Sequence, residues 1–78
     1  MKLQIISARE VLYTGTVTAV TLPGTMGEFT VLRNHASLLA TLTAGTVRYT
    51  DEDGNRLSSE ITGGIVDVDN NVISVCVY

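Results

Sequence analysis

The sequence predicts an all-β domain, a sandwich or flattened barrel, and three observations predict it. Val, Ile and Thr make up 26 of the 78 residues, and these β-branched side chains suit a pleated, half-buried surface. No stretch of helix length carries an apolar stripe at i, i+3, i+4, i+7. Gly, Pro, Asn and Asp break the chain about every eight to twelve residues, the spacing of short strands joined by turns.

The elements follow in order. Lys2 to Ser7 alternates, with Leu3 and Ile5 on one face and Lys2 and Gln4 on the other. Ala8-Arg9-Glu10 is a polar break. Val11 to Leu22 is a long strand region with Gly15 inside it. Val17 and Ala19 share a face there, while Val20 and Leu22 take the opposite parity. That slip of phase near Ala19-Val20 predicts a bulge or a bend where the strand changes sheet. Pro23-Gly24 reads as a turn, and Phe29, Val31 and Leu32 as the apolar anchors after it. Arg33-Asn34-His35 is a polar corner before Ser37 to Leu42. Ala44-Gly45 is a turn before a strand over Thr46 to Thr50. Asp51 to Asn55 is a hairpin tip, Arg56 to Thr62 the returning strand, and Gly63-Gly64 a corner. Ile65 to Val68, a turn at Asp69-Asn70-Asn71, and Val72 to Tyr78 complete the chain.

Length bounds the reading to one domain, residues 1–78. A chain this short buries only about 60% of the surface its unfolded form exposes. A single cysteine, Cys76, permits no internal disulfide, and no Cys/His cluster offers a structural zinc site. Hydrophobic residues reach 45% and charged residues only 17%, against roughly 25% charged in a typical domain. Apolar surface facing another protein accounts for this balance; the plain alternative is a well-packed small sandwich with few charges. The net charge is −3, and Lys2, Arg9, Arg33, Arg48 and Arg56 are scattered, which argues against nucleic acid as a partner. No apolar run approaches the ~18–20 residues of a membrane-spanning helix, and Met1 to Gln4 does not open a signal peptide.

Chemistry-bearing motifs fail one by one. Asp51, Asp53 and Asn55 begin like a calcium loop, but Gly54 and Thr62 break the pattern, and Val72 breaks a similar start at Asp67. Gly24 and Gly27 lack the Lys-Ser/Thr pair and the following helix of a phosphate loop. Cys76 lies in Val-Ile-Ser-Val-Cys-Val-Tyr, where a core or near-core position is expected. Ser58 and Ser59 come without an oxyanion-hole motif. No catalytic residue, metal or cofactor is therefore assigned. Two residues remain for recognition. Glu28 stands alone beside Gly27, accessible to a basic partner, or is a solvated loop residue. His35 sits on a turn between apolar runs, either as a contact residue or bonded to a nearby carbonyl.

The stretch LPGTMGEFTVLRNHASLL resembles the signature of the epsilon subunit of F-type ATP synthases, called delta in mitochondria. Gly27, Glu28, His35, Ala36, Leu38 and Leu39 match it. Ala44-Gly45-Thr46-Val47-Arg48 is similar to the family's Pro-Gly-x-aliphatic-Arg step. Gly63-Gly64-Ile65-Val66-Asp67-Val68 with Asn71-Val72-Ile73-Ser74-Val75 is similar to its Gly-Gly ending. The chain departs at Thr30, Arg33-Asn34 and Ser37, where the family has Gly, Pro-Gly and Pro; Asn34 can still take the left-handed conformation of the lost glycine.

The resemblance implies a sandwich of about ten strands with jelly-roll-like topology. It implies a non-catalytic central-stalk subunit that links the gamma subunit to the membrane c-ring and so couples proton or sodium flow to ATP synthesis. The loops with Glu28, Arg33, Asn34 and His35 would face the c-ring, whose loops are commonly basic. Ser7 and Ala40 would lie near gamma. The only membrane contact would pass through the c-ring, at the cytoplasmic face of a bacterial plasma membrane or, as the alternative, the stromal face of a thylakoid. Many members carry two further helices that restrain ATP hydrolysis and in some bind ATP. This chain stops on a strand, so no helical domain and no bound nucleotide is expected in it. The rival readings are an unrelated β-sandwich interaction module and, further off, a small hydrolase.

Overall fold

Eight strands and no helix build the molecule in a computed structural model that describes residues 1–78. They are β1 (Lys2–Ile6), β2 (Val11–Gly24), β3 (Gly27–Leu32), β4 (Leu38–Leu42), β5 (Gly45–Asp51), β6 (Arg56–Ile61), β7 (Gly64–Asp69) and β8 (Val72–Val77). The all-β prediction holds, and eight replaces the expected ten or so. One reason is β2, which runs as a single strand of 14 residues through two sheets.

Residues 11–16 of β2 pair with β1, and residues 17–24 pair with β3 and β5. Between them Val17 faces Asp51 and Ala19 faces Thr50, so Thr18 is the extra residue of a bulge. The bulge lies beside the predicted slip at Ala19-Val20 and does what that slip requires. Val17 points inward before it, and Val20 and Leu22 after it, so one strand serves the interior from both layers. The first layer is β2–β1–β8–β7–β4, and β4 meets the end of β2 again at Gly24–Leu42, closing a ring. The second layer is β3–β2–β5–β6. The chain crosses between layers after β3, β4 and β6, the winding expected of a jelly-roll-like sandwich. β1 and β8 pair in parallel; the other pairs are antiparallel.

The core is one cluster of 14 apolar residues supplied by every strand, among them Leu3, Val20, Leu22, Val31, Val47, Val66, Ile73 and Val75. No polar or charged residue is buried with it. Strict alternation carries this, as in β7, where Gly64, Val66 and Val68 face in and Ile65, Asp67 and Asp69 face out. The same alternation corrects two expectations. Cys76 is exposed, because Ile73 and Val75 take the inward positions of β8. Leu32 is also exposed, because Val31 is the inward residue, so Phe29 and Val31 are the anchors and Leu32 is not.

The turns follow their chemistry with one displacement. Pro23 and Gly24 stay in β2, and the reversal falls on Thr25-Met26 between paired Gly24 and Gly27. Gly27 takes φ 126°, which a side chain would resist. At the β7–β8 turn, Asn70 and Asn71 adopt φ 49° and 61°, the two left-handed residues of a tight hairpin. The Asp51 carboxylate accepts from the backbone N–H groups of Asp53 and Asn55 and from the Asn55 amide. It therefore organises the β5–β6 tip as an Asx turn.

Candidate functional site: the β3–β4 groove and its turns

With an apolar interior, specific recognition falls to the surface, and one part of it is concave and apolar. Between β3 of the second layer and β4 of the first, which do not pair with each other, lies an open groove of about 640 Å³. Phe29, Leu38 and Ala40 form its floor from half-buried positions, and Met26, Leu39 and His35 rise around it. Met26 is 99% exposed and Leu39 74% exposed, an unfavourable placement for large apolar groups facing water alone. The far end is closed by Thr25, which bonds Thr41 through both its hydroxyl, at 2.8 Å, and its backbone N–H, at 3.0 Å.

The Arg33-to-Ser37 corner forms the near end. All five residues are exposed, so burial does not hold the corner in place. The His35 N–H donates to the Leu32 carbonyl at 3.2 Å, and Asn34 takes φ 63°, fulfilling the glycine-like role expected of it. His35 Nδ1 lies 2.7 Å from the Ala36 carbonyl oxygen, which orients the ring while leaving its other edge over the groove. Arg33 is exposed and makes no ion pair.

Glu28 lies elsewhere. It is the second residue of β3, at the opposite end from His35, and faces the outer side of the second layer. There it is not solitary: Arg48 of β5 reaches it at 3.0 Å, with both side chains more than half exposed. An exposed pair of this kind adds little stability, but it holds the carboxylate in one direction. Ser7 and Ala40 are also apart. Ser7 Oγ accepts from the N–H groups of Arg9 and Glu10 in the β1–β2 turn. Ala40 lies on β4, three strand spacings away in the same layer, roughly 14 Å at ordinary sheet geometry.

The structure thus brings His35 and Ala40 to one groove and leaves Glu28 and Ser7 outside it. Sequence reasoning missed three groups. Arg48 was visible as part of a strand, but its reach to Glu28 depends on register. Asn71 and Asp69, read as turn or motif residues without a contact role, bond Asn34 and Ser37 where the β7–β8 turn meets the start of β4. Leu39 was visible as an apolar residue; its exposure follows from the parity of Leu38 and Leu42, which face inward.

Residues 1–78, the whole chain, match the family model described as the ATP synthase, Delta/Epsilon chain, beta-sandwich domain. The chain belongs to this family. Among its relatives, the ATP synthase epsilon chain of Sulfurimonas denitrificans is 42% identical over 77 residues, covering 99% of this chain and 59% of the relative. That of Campylobacter jejuni subsp. doylei is 41% identical over 75 residues, 96% of this chain and 58% of the relative. That of Chlorobium limicola is 39% identical over 70 residues, 90% of this chain and 80% of the relative. This member of the delta/epsilon family therefore spans about three-fifths of the first two relatives. Its fold recurs in the mitochondrial ATP synthase of Euglena gracilis, in a structure of OSCP, F1 and c-ring, with TM-score 0.86 and 24% identity over 96% of this chain and 48% of that one. It recurs again in the central stalk and c-ring structure from Tetrahymena thermophila, with TM-score 0.79 and 15% identity over 99% of this chain and 62% of that one.

Proposed function

We propose that the chain is a non-catalytic rotor subunit of an F-type ATP synthase, joining the gamma subunit to the c-ring and so coupling proton or sodium flow to ATP synthesis. The observation that carries this is the match of all 78 residues to the delta/epsilon sandwich. The geometry supports it: the interior is apolar throughout, and the unusual residues lie on outward-facing turns and a groove. A part that turns under load needs broad, shape-matched contacts on two sides, not a reaction centre.

On this reading the c-ring is met at two separate places, the corner at Arg33, Asn34 and His35 and, from the other end of β3, the carboxylate of Glu28. Glu28, already held by Arg48, offers a basic loop an oriented partner that sets register more than affinity. Gamma would lie over the outer face of the first layer near Ser7 and would reach Ala40 from the groove, where that residue faces. Paired positions place Ile65, Cys76, Ile6 and Val11 in one row across that face. Ile65 is 43% and Val11 57% exposed, an apolar strip suited to a protein neighbour. The chain would work at the cytoplasmic face of a bacterial plasma membrane.

Glu28→Lys tests the c-ring side. Its carboxylate is exposed, so the melting temperature of the isolated domain is expected to stay nearly unchanged. ATP-driven proton pumping in membranes carrying the variant is expected to fall. Pumping equal to wild type would remove Glu28 from the coupling surface.

A further inference from the structure

We infer that the β7–β8 turn is a latch that sets the docking geometry of the His35 corner, with Asn71 and Asp69 as positioning residues; this rests on the rotor reading above. The two segments are far apart in sequence and meet through three side-chain hydrogen bonds. The Asn34 N–H donates to Asn71 Oδ1 at 2.7 Å, and Asn71 Nδ2 donates back to Asn34 Oδ1 at 3.0 Å. Ser37 Oγ donates to Asp69 Oδ1 at 2.7 Å. The Asn71 carbonyl in turn accepts the Lys2 N–H at 2.9 Å, so the latch is tied to β1 and through it to the core.

The latch matters because little else holds the corner. Residues 33–37 are exposed and belong to no strand. One backbone bond closes the turn at His35, and it fixes the turn's shape without fixing its place on the sandwich. Asn34 and Asn71 share one reciprocal pair of bonds, and Asn34 and Asn71 both sit at left-handed φ. Asn tolerates that conformation and brings the amide, whereas Gly would tolerate it without one. Asn at both positions thus meets two demands, turn shape and attachment. Removing the attachment frees the corner, and a free corner must give up on docking the conformational freedom that a fixed one has already lost.

Asn71→Gly removes the amide while keeping the backbone conformation and the carbonyl that holds Lys2. Asn71→Asp keeps an acceptor for the Asn34 N–H, and the Asn34 amide can rotate to donate to it. Two measurements on the 78-residue chain separate the possibilities: amide hydrogen exchange at Asn34, and the Kd for purified gamma subunit assembled on its c-ring. Asn71→Gly is expected to speed Asn34 exchange and raise Kd about fivefold, the effect of one net hydrogen bond. Asn34→Gly keeps its backbone N–H bond to Asn71 and loses only the bond its own amide accepts, so it should weaken binding less, and the double variant no more than Asn71→Gly alone. Asn71→Asp should restore most of both properties. Unchanged Asn34 exchange in Asn71→Gly overturns the latch itself. Faster exchange with unchanged Kd overturns its role in docking. Failure of the wild-type chain to bind, with exchange responding as stated, overturns the rotor reading and the docking role together while leaving the latch bonds in place.

Discussion

At the scale of single residues, position in a pleat decides most outcomes. Gly64 is buried on β7, where an added Cβ would run into the Cys76 carbonyl of β8. Backbone cannot yield there as a flexible side chain could. Gly64→Ala is expected to cost about 1–3 kcal/mol, seen as a fall in melting temperature of at least about 4 °C for a domain this size. Asp51 acts through charge. The Asn55 side-chain amide, together with backbone N–H groups of Asn55, Asp53 and Gly54, holds its carboxyl below the usual carboxylate range. A depressed folded-state pKa means stabilisation that is present above the unfolded-state value and is lost as pH falls through the folded one. Stability of Asp51→Asn should therefore fall less steeply than wild type below about pH 4, measured by urea unfolding across that range; parallel acid limbs would contradict the assignment.

At the scale of elements, the sequence was legible wherever alternation was unbroken. The inward sets of β1, β5, β7 and β8 follow from counting by twos. The bulge in β2 was legible too, because Val17 and Val20 cannot share a face without it. Pro23-Gly24 misled by one turn: proline's missing donor costs β2 no bond that position needs, and Thr25-Met26 could reverse the chain once Gly27 supplied the unusual φ. Cys76 and Leu32 misled because an apolar residue type was taken for an inward position. The Glu28–Arg48 pair and the Asn34–Asn71 latch were not legible at all. Each joins strands or turns whose register no local pattern records. The double duty of β2 yields a prediction of its own. Leu22 fills the core from beyond the bulge with no exposed surface, so Leu22→Ala should cost about 2–5 kcal/mol. That exceeds the effect of Leu32→Ala, whose side chain is 57% exposed. Equal losses in chemical denaturation would mean the inward and outward sets are misassigned.

At the scale of the whole molecule, a small sandwich has kept its interior wholly apolar and still left large apolar groups outside. Met26 and Leu39 flank the groove, and Ile65 and Val11 lie on the outer face of the first layer. Their exposure shows where part of the high apolar content of the sequence lies. It also gives the rotor reading a direct probe, because Cys76 is exposed in the middle of that outer row and is the only thiol. The decisive measurement is maleimide labelling of Cys76 in the free chain and after mixing with purified gamma subunit on its c-ring, with co-sedimentation followed in the same samples. Co-sedimentation with strong protection of Cys76 is the predicted result. A chain that stays in the supernatant, its Cys76 labelled as fast as in isolation, would contradict the assignment to the central stalk.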